Sequence, residues 1–248
     1  MRAVVLGLLA GLTTMNAFGD SPDPPLEDLR LPVAALVRED VFAGWRANDL
    51  DRYARGEKNI DLLLEQRPDQ RAELLAWKGG TRVYRGLLAL ESGKNDEFER
   101  CYQEALDHFA EAKKLGPRHP AVNAIVGGTF VLFGDRLPEK YRAAAWATGY
   151  ENYQALWKLQ GKAVDRLPLH IRGELLAGLA QSSERTGRHE ELAEYLDKII
   201  ATLPDTGYER VAKLWKSDPA AAAKGNISCK SCHNEGRLQD RLAKLNGK

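Results

Sequence analysis

Two cysteines three positions apart with a histidine directly after them, Cys229-Lys230-Ser231-Cys232-His233, are the residues of this 248-residue chain best placed to do chemistry. The chain has only three cysteines and five histidines. A random shuffle of that composition yields this pentapeptide in about 5 chains per 10,000, so the spacing is a signal rather than chance. Three chemistries use such a group. Each thiol can add to one vinyl group of a haem, giving two thioethers, with the adjacent imidazole held under the iron as its ligand. The thiols can instead close as a disulfide or act as a redox pair, although the β-α-β context of a thioredoxin-like site is missing. Two thiolates and an imidazole can also bind zinc, but a closed structural site needs a fourth ligand, and no second C-x-x-C or H-x3-H supplies one.

Among these, the motif resembles the haem-attachment site of c-type cytochromes. The resemblance implies one covalent haem c, bound through Cys229 and Cys232, with His233 as the axial iron ligand. The segment before it, Ala220 to Gly225, is similar to a shortened version of that family's first helix. The family's usual second axial ligand is a methionine well downstream. Here only 15 residues follow His233, and the two methionines, Met1 and Met15, fall in a segment expected to be removed. The sixth position is then empty, water-filled or taken by another group. His170 and His189 are the nearest histidines in sequence, and each reads first as a capping or surface residue: His170 follows Pro168, and His189 follows Gly187-Arg188.

Haem attachment takes place outside the cytoplasm, and the N-terminus carries a concordant signature. Arg2 gives a positive start, Ala3 to Leu12 is apolar apart from two glycines, and Ala17-Phe18-Gly19 places small residues where a signal peptidase reads. Residues 1–19 are expected to be a signal peptide, which makes the chain periplasmic or otherwise exported. Asp20-Ser21-Pro22-Asp23-Pro24-Pro25 argues against a helix continuing through that point. Cleavage leaves 35 basic and 35 acidic residues. A chain without net charge has no global field to recruit nucleic acid, and no apolar run is long enough to span a bilayer.

The elements that must position the motif read as helices. From about Leu26 to Trp215 apolar residues recur every three to four positions, with few alternating Val/Ile/Thr runs. Phe98, Cys101, Ala105, Phe109 and Ala112 form one stripe, ended by Gly116-Pro117. That place makes Cys101 a core residue before a reactive thiol. Helical segments end before Pro68, Pro117, Pro168 and Pro204. In residues 173–206, Leu179-Ala180, Gly187, Leu192, Leu196, Ile199 and Pro204 occupy the pattern of a two-helix unit, and this resembles the tetratricopeptide repeat. An upstream unit is similar but interrupted: Trp77 and Tyr84 keep the first-helix spacing and Ala105, Phe109, Ala112 and Pro117 the second, with about twelve residues too many between the halves. The resemblance covers residues 49–206 and implies a solenoid whose concave groove holds a protein or peptide. A generic helical bundle explains the same periodicity; on either reading the body is all-α. Gly79-Gly80 and Gly127-Gly128 lie inside helical segments and read as close-packing or kink positions.

The expected organisation is a signal peptide (1–19), a linker and first helix (20–48), a helical-repeat domain (49–217) and a C-terminal haem-binding segment (218–248). In the last of these, Leu238, Leu242 and Leu245 fall at i, i+4 and i+7, the stripe of a short helix over 236–245 that covers a haem face or docks on the body. Residues 224–248 hold six basic and two acidic residues, an excess suited to haem propionates or an anionic partner surface, or simply to solvent. No catalytic constellation is present: His189-Glu190-Glu191-Leu192-Ala193 lacks the second histidine of a zinc-protease helix, and there is no G-x-S-x-G or strand-borne phosphate loop. The expectation is an electron carrier or haem-bearing subunit with a redox partner protein, rather than an enzyme. The competing expectation is a non-redox periplasmic adaptor whose C-terminal cysteines form a disulfide or a zinc site.

Overall fold

A computed structural model of the chain describes residues 22–228 and 236–247. Among the described residues there are eleven α-helices and no strand: α1 (Val33–Ala47), α2 (Leu50–Gln66), α3 (Arg71–Glu91), α4 (Asn95–Leu115), α5 (Pro120–Phe133), α6 (Glu139–Gln160), α7 (Leu169–Arg185), α8 (His189–Thr202), α9 (Gly207–Ser217), α10 (Pro219–Lys224) and α11 (Arg237–Leu245). The all-α class follows. Among the described residues no helix is long and apolar enough to cross a membrane.

Local chemistry sets where the helices start and stop. Asp49, Thr206 and Asp218 each cap a helix by accepting a hydrogen bond from a backbone N–H of the first turn. Proline opens α5 and α10, where its missing N–H costs nothing. The turns between α3 and α4 and between α7 and α8 are built alike. Gly93 and Gly187 both take a left-handed φ, at 76° and 72°, and the next residue's N–H reaches back to Ala89 O in one turn and Ser183 O in the other.

Counted from those two glycines, Phe98, Tyr102 and Ala105 of α4 stand where Leu192, Leu196 and Ile199 stand in α8. The excess length noticed in the upstream unit therefore lies in longer helices: α3 and α4 have 21 residues each, against 17 and 14 for α7 and α8. The five stripe residues of α4 are all buried, Cys101 among them, and burial pushes its thiol pKa up.

Consecutive helices pack as antiparallel pairs, α1 with α2, α3 with α4, α5 with α6 and α7 with α8. The first member of each pair also touches the first member of the next, so α1, α3, α5 and α7 form one layer. Helix α1, which the sequence groups with a linker, is thus the first member of a pair like the others. Two apolar clusters result: one extends from Leu31 to Ala145, the other from Val131 to Ile227. Leu238 of α11 belongs to the first cluster, far from it in sequence.

Candidate functional site

Cys229, Cys232 and His233 lie outside the described residues, as does the expected signal peptide. Their flanks are fixed on both sides. Upstream, Ile227 is fully buried, and the N–H groups of Ile227 and Ser228 both donate to Gln181 Oε1 on α7, at 3.0 and 3.3 Å. Gln181 is itself held by donating to Val131 O. One turn further along α7, Arg185 donates to Ala222 O at 2.7 Å and Gly225 O at 2.8 Å while paired with Asp135. A buried acceptor serving two backbone donors is costly to remove, so this end of the segment is seated in the second core.

Downstream, the carboxylate of Glu39 on α1 accepts from the N–H of Gly236 and, at 3.1 Å, from that of Leu238. A carboxylate on the first N–H groups of α11 acts as its cap, borrowed from the other end of the chain. Gly236 has φ 86°, the left-handed region that favours glycine. Leu238 is buried against α1 and Leu242 is partly buried, as their spacing predicts, whereas Leu245 is exposed. The seven residues 229–235 therefore connect a point on α7 to a point on α1, joining the two apolar clusters.

The layer of α1, α3, α5 and α7 encloses a hollow. A cavity of about 430 Å³ is lined by Ala34, Arg38, Phe42 and Trp45 of α1, Trp77 of α3, Ala124, Ile125, Gly128 and Leu132 of α5, and His170, Ile171, Glu174 and Leu175 of α7. That volume falls within the ~300–1,000 Å³ of small-molecule and cofactor sites, and a mostly apolar lining with a few polar groups is their usual make-up. Aromatic edges stiffen the wall: Phe42 meets Trp77 edge-on at 5.7 Å and Trp45 meets Phe133 at 5.5 Å.

The polar groups are few. Burial pushes the Glu73 carboxyl pKa up, opposed by His119 and Trp77. Glu174 accepts from the Tyr208 hydroxyl. His170 is partly buried in the first turn of α7, and its pKa is held down by burial and then by the guanidinium groups of Arg237 and Arg38. Its imidazole is therefore neutral near pH 7, the form that can bind a metal.

No family model, curated protein or solved structure matches this chain.

The two histidines singled out in sequence have different surroundings. His189 is exposed at the start of α8 and does not line the cavity. His170 lines the cavity from the first turn of α7. Glu39 and Arg38 carry no signal in spacing; the nearest one is the aromatic pair Phe42 and Trp45, three apart, in the expected first helix. Among the described residues no group of three or more His, Cys, Asp or Glu is arranged to hold a metal ion.

Proposed function

We propose that the chain is an exported, single-haem, c-type cytochrome-like protein whose tetratricopeptide-like helical body surrounds the cofactor and docks a redox partner. The observation that supports this reading is that the residues flanking the C-x-x-C-H segment are held by α7 and α1, two of the helices that line an apolar cavity of cofactor size. The shared turn geometry of the α3–α4 and α7–α8 pairs supports the repeat character of the body.

The lining fits the group. Cys229 and Cys232 would hold it, each sulfur adding to one vinyl carbon and its hydrogen to the other, so that nothing leaves. His233 would supply a nitrogen ligand to its iron. Arg38, in the cavity lining, would offer a guanidinium group to anionic propionates. Phe42, Trp45, Trp77 and the aliphatic residues of α5 exclude water. When bound, such a group supplies one-electron exchange at its iron.

The test is expression of the full chain in a host that exports and matures c-type cytochromes. A haem stain that survives a denaturing gel, with a mass gain of one haem on the chain cleaved after Gly19, is the expected result. A colourless product of unmodified mass overturns the proposal; zinc content and free-thiol titration of that product then separate a zinc site from a disulfide.

A further inference from the structure

The geometry points to a second ligand site, independent of the haem reading: the hollow between α4 and α6 binds a free α-amino acid with an apolar side chain, its carboxylate on Lys113 and its ammonium on Glu151 and Thr148. The site follows from how the two helices stand. At the N-terminal end of α6, Lys140 pairs with Glu99 at 2.8 Å, and the rings of Tyr102 and Tyr141 meet at 4.7 Å. About three turns further along, Lys113 of α4 reaches Asn152 of α6. Between these two joints lies a hollow of about 250 Å³, with Leu106 and Phe109 of α4 and Val126 and Phe130 of α5 as its apolar floor. Phe109 and Phe130 lock edge-on at 5.5 Å, so the floor is stiff. The volume is just under the ~300–1,000 Å³ of drug-sized ligands, which sets the occupant at a single amino acid rather than a peptide or a nucleotide.

Lys113 is the cationic end. Its Nζ donates to Asn123 Oδ1 and Asn152 Oδ1, both at 2.8 Å. Each amide is fixed in that orientation, because its own NH2 donates to the carbonyl four residues back, His119 O for Asn123 and Thr148 O for Asn152. Both asparagines are buried. An ammonium has three donors, and these two acceptors are neutral, so one donor and the whole charge are left over. Among the described residues Lys113 forms no ion pair; burial pushes its pKa down, opposed by the more distant Glu151 carboxylate. A ligand carboxylate supplies the missing charge and takes the third donor. Glu151 supplies the opposite sign: it lines the same hollow, is exposed, and forms no ion pair among the described residues. Thr148, three residues before it on the same face of α6, spends its hydrogen on Ala144 O, which leaves its hydroxyl oxygen as an acceptor. A plain carboxylate would gain Lys113 but meet Glu151, and a plain amine the reverse; a zwitterion satisfies both. A mere tie between α4, α5 and α6 needs Lys113 and the asparagines, but neither the hollow beside them nor an opposite charge held apart.

The experiment is isothermal titration of the mature full-length protein with L-leucine, L-valine and L-phenylalanine, then with the deaminated and the decarboxylated analogue of whichever binds best; for leucine these are isocaproate and isoamylamine. One-to-one binding is expected, with each analogue about 10–100-fold weaker, the worth of one charge-assisted contact. Two variants are expected to abolish it: Ala110→Phe, which fills the hollow from an exposed position on α4, and Lys113→Met, which keeps the stem and removes the charge. Glu151→Gln is expected to weaken it about 10-fold. Lys114→Met, exposed and outside the hollow, is expected to bind like the unmodified protein. Circular dichroism checks the fold of each variant. No binding of any of the three amino acids at millimolar concentration overturns the proposal and leaves Lys113 as a tie between helices. Analogues that bind as well as the amino acid overturn it too, as does binding that survives both Ala110→Phe and Lys113→Met. If Lys113→Met does not fold, Ala110→Phe and Glu151→Gln, both at exposed positions, decide the matter. The titrations read the same with or without attached haem, so failure here and failure of the haem reading are distinguishable.

Discussion

The two faces of the helix layer use similar residues and end differently. Toward the second helices of the pairs, α3 and α5 place glycines directly under aromatic rings: a methyl group on Gly79 would lie 2.5 Å from the Phe109 ring, and one on Gly127 3.1 Å from that of Tyr153. Toward the cavity, a methyl group on Gly128 would meet only the Tyr153 hydroxyl, at 3.7 Å. One face is packed to the density of a protein interior and the other leaves its apolar side chains facing a space. The residues that flank the C-x-x-C-H motif are held by α7 and α1, two of the helices that line that space.

The largest effect expected from breaking this contrast is on the cofactor. The double variant Cys229→Ala/Cys232→Ala is expected to lose all haem that survives denaturation, read by gel stain and mass, while its circular dichroism stays helical because the pairs α1–α8 do not depend on the motif. Next in size is the glycine pair. Gly79→Ala is expected to destabilise by about 1–3 kcal/mol through overpacking against Phe109. Gly128→Ala, in open space on a helix, is expected to stabilise by about 0.5–1 kcal/mol. Urea midpoints of the two variants check both, and equal effects would erase the distinction between the faces.

Smaller again is the anchor of α11. Glu39→Ala removes the acceptor for Gly236 and Leu238 and is expected to cost about 0.5–2 kcal/mol locally, seen as faster amide exchange over 236–245 with the remaining helices unchanged. The smallest effect concerns acid. His108 has its pKa lowered by burial and by Lys78 and Arg82, so as the pH falls through the ordinary value of 6.5 the unfolded chain takes up a proton that the native one refuses. Stability therefore falls on acidification, and His108→Gln is expected to flatten that fall between about pH 7.5 and 5.5 in chemical denaturation.

Much of the body could be read from spacing because its determinants are local. The α4 stripe repeats every three to four residues, and all five members are buried where the pattern puts them. Gly187 marks a left-handed turn, and Leu238 and Leu242 find the core. The misjudged features depend on distance along the chain. The pairing of α1 with α2 and its place in the inner layer are tertiary, so spacing shows a first helix within 20–48 but not what it packs against. Glu39 caps α11 across 197 residues, a partnership that no periodicity reports. The spacing of Trp77 and Tyr84 from the second helix does not fit a fixed length because α3 and α4 are longer than α7 and α8, whereas Gly93 and Gly187 stand at the same distance from the buried residues that follow them. His170 stands in the first turn of α7, as its place after Pro168 suggests, and only the convergence of α1, α5 and α7 makes the cavity it lines.

The most direct test of the central claim is to locate the iron. Diffraction data from the matured full-length protein, collected on either side of the iron absorption edge, should give a single anomalous peak inside the layer formed by α1, α3, α5 and α7, between Trp45 and His170. A peak on the outer surface of the paired helices, or none at all in crystals of protein made under maturing conditions, would contradict it.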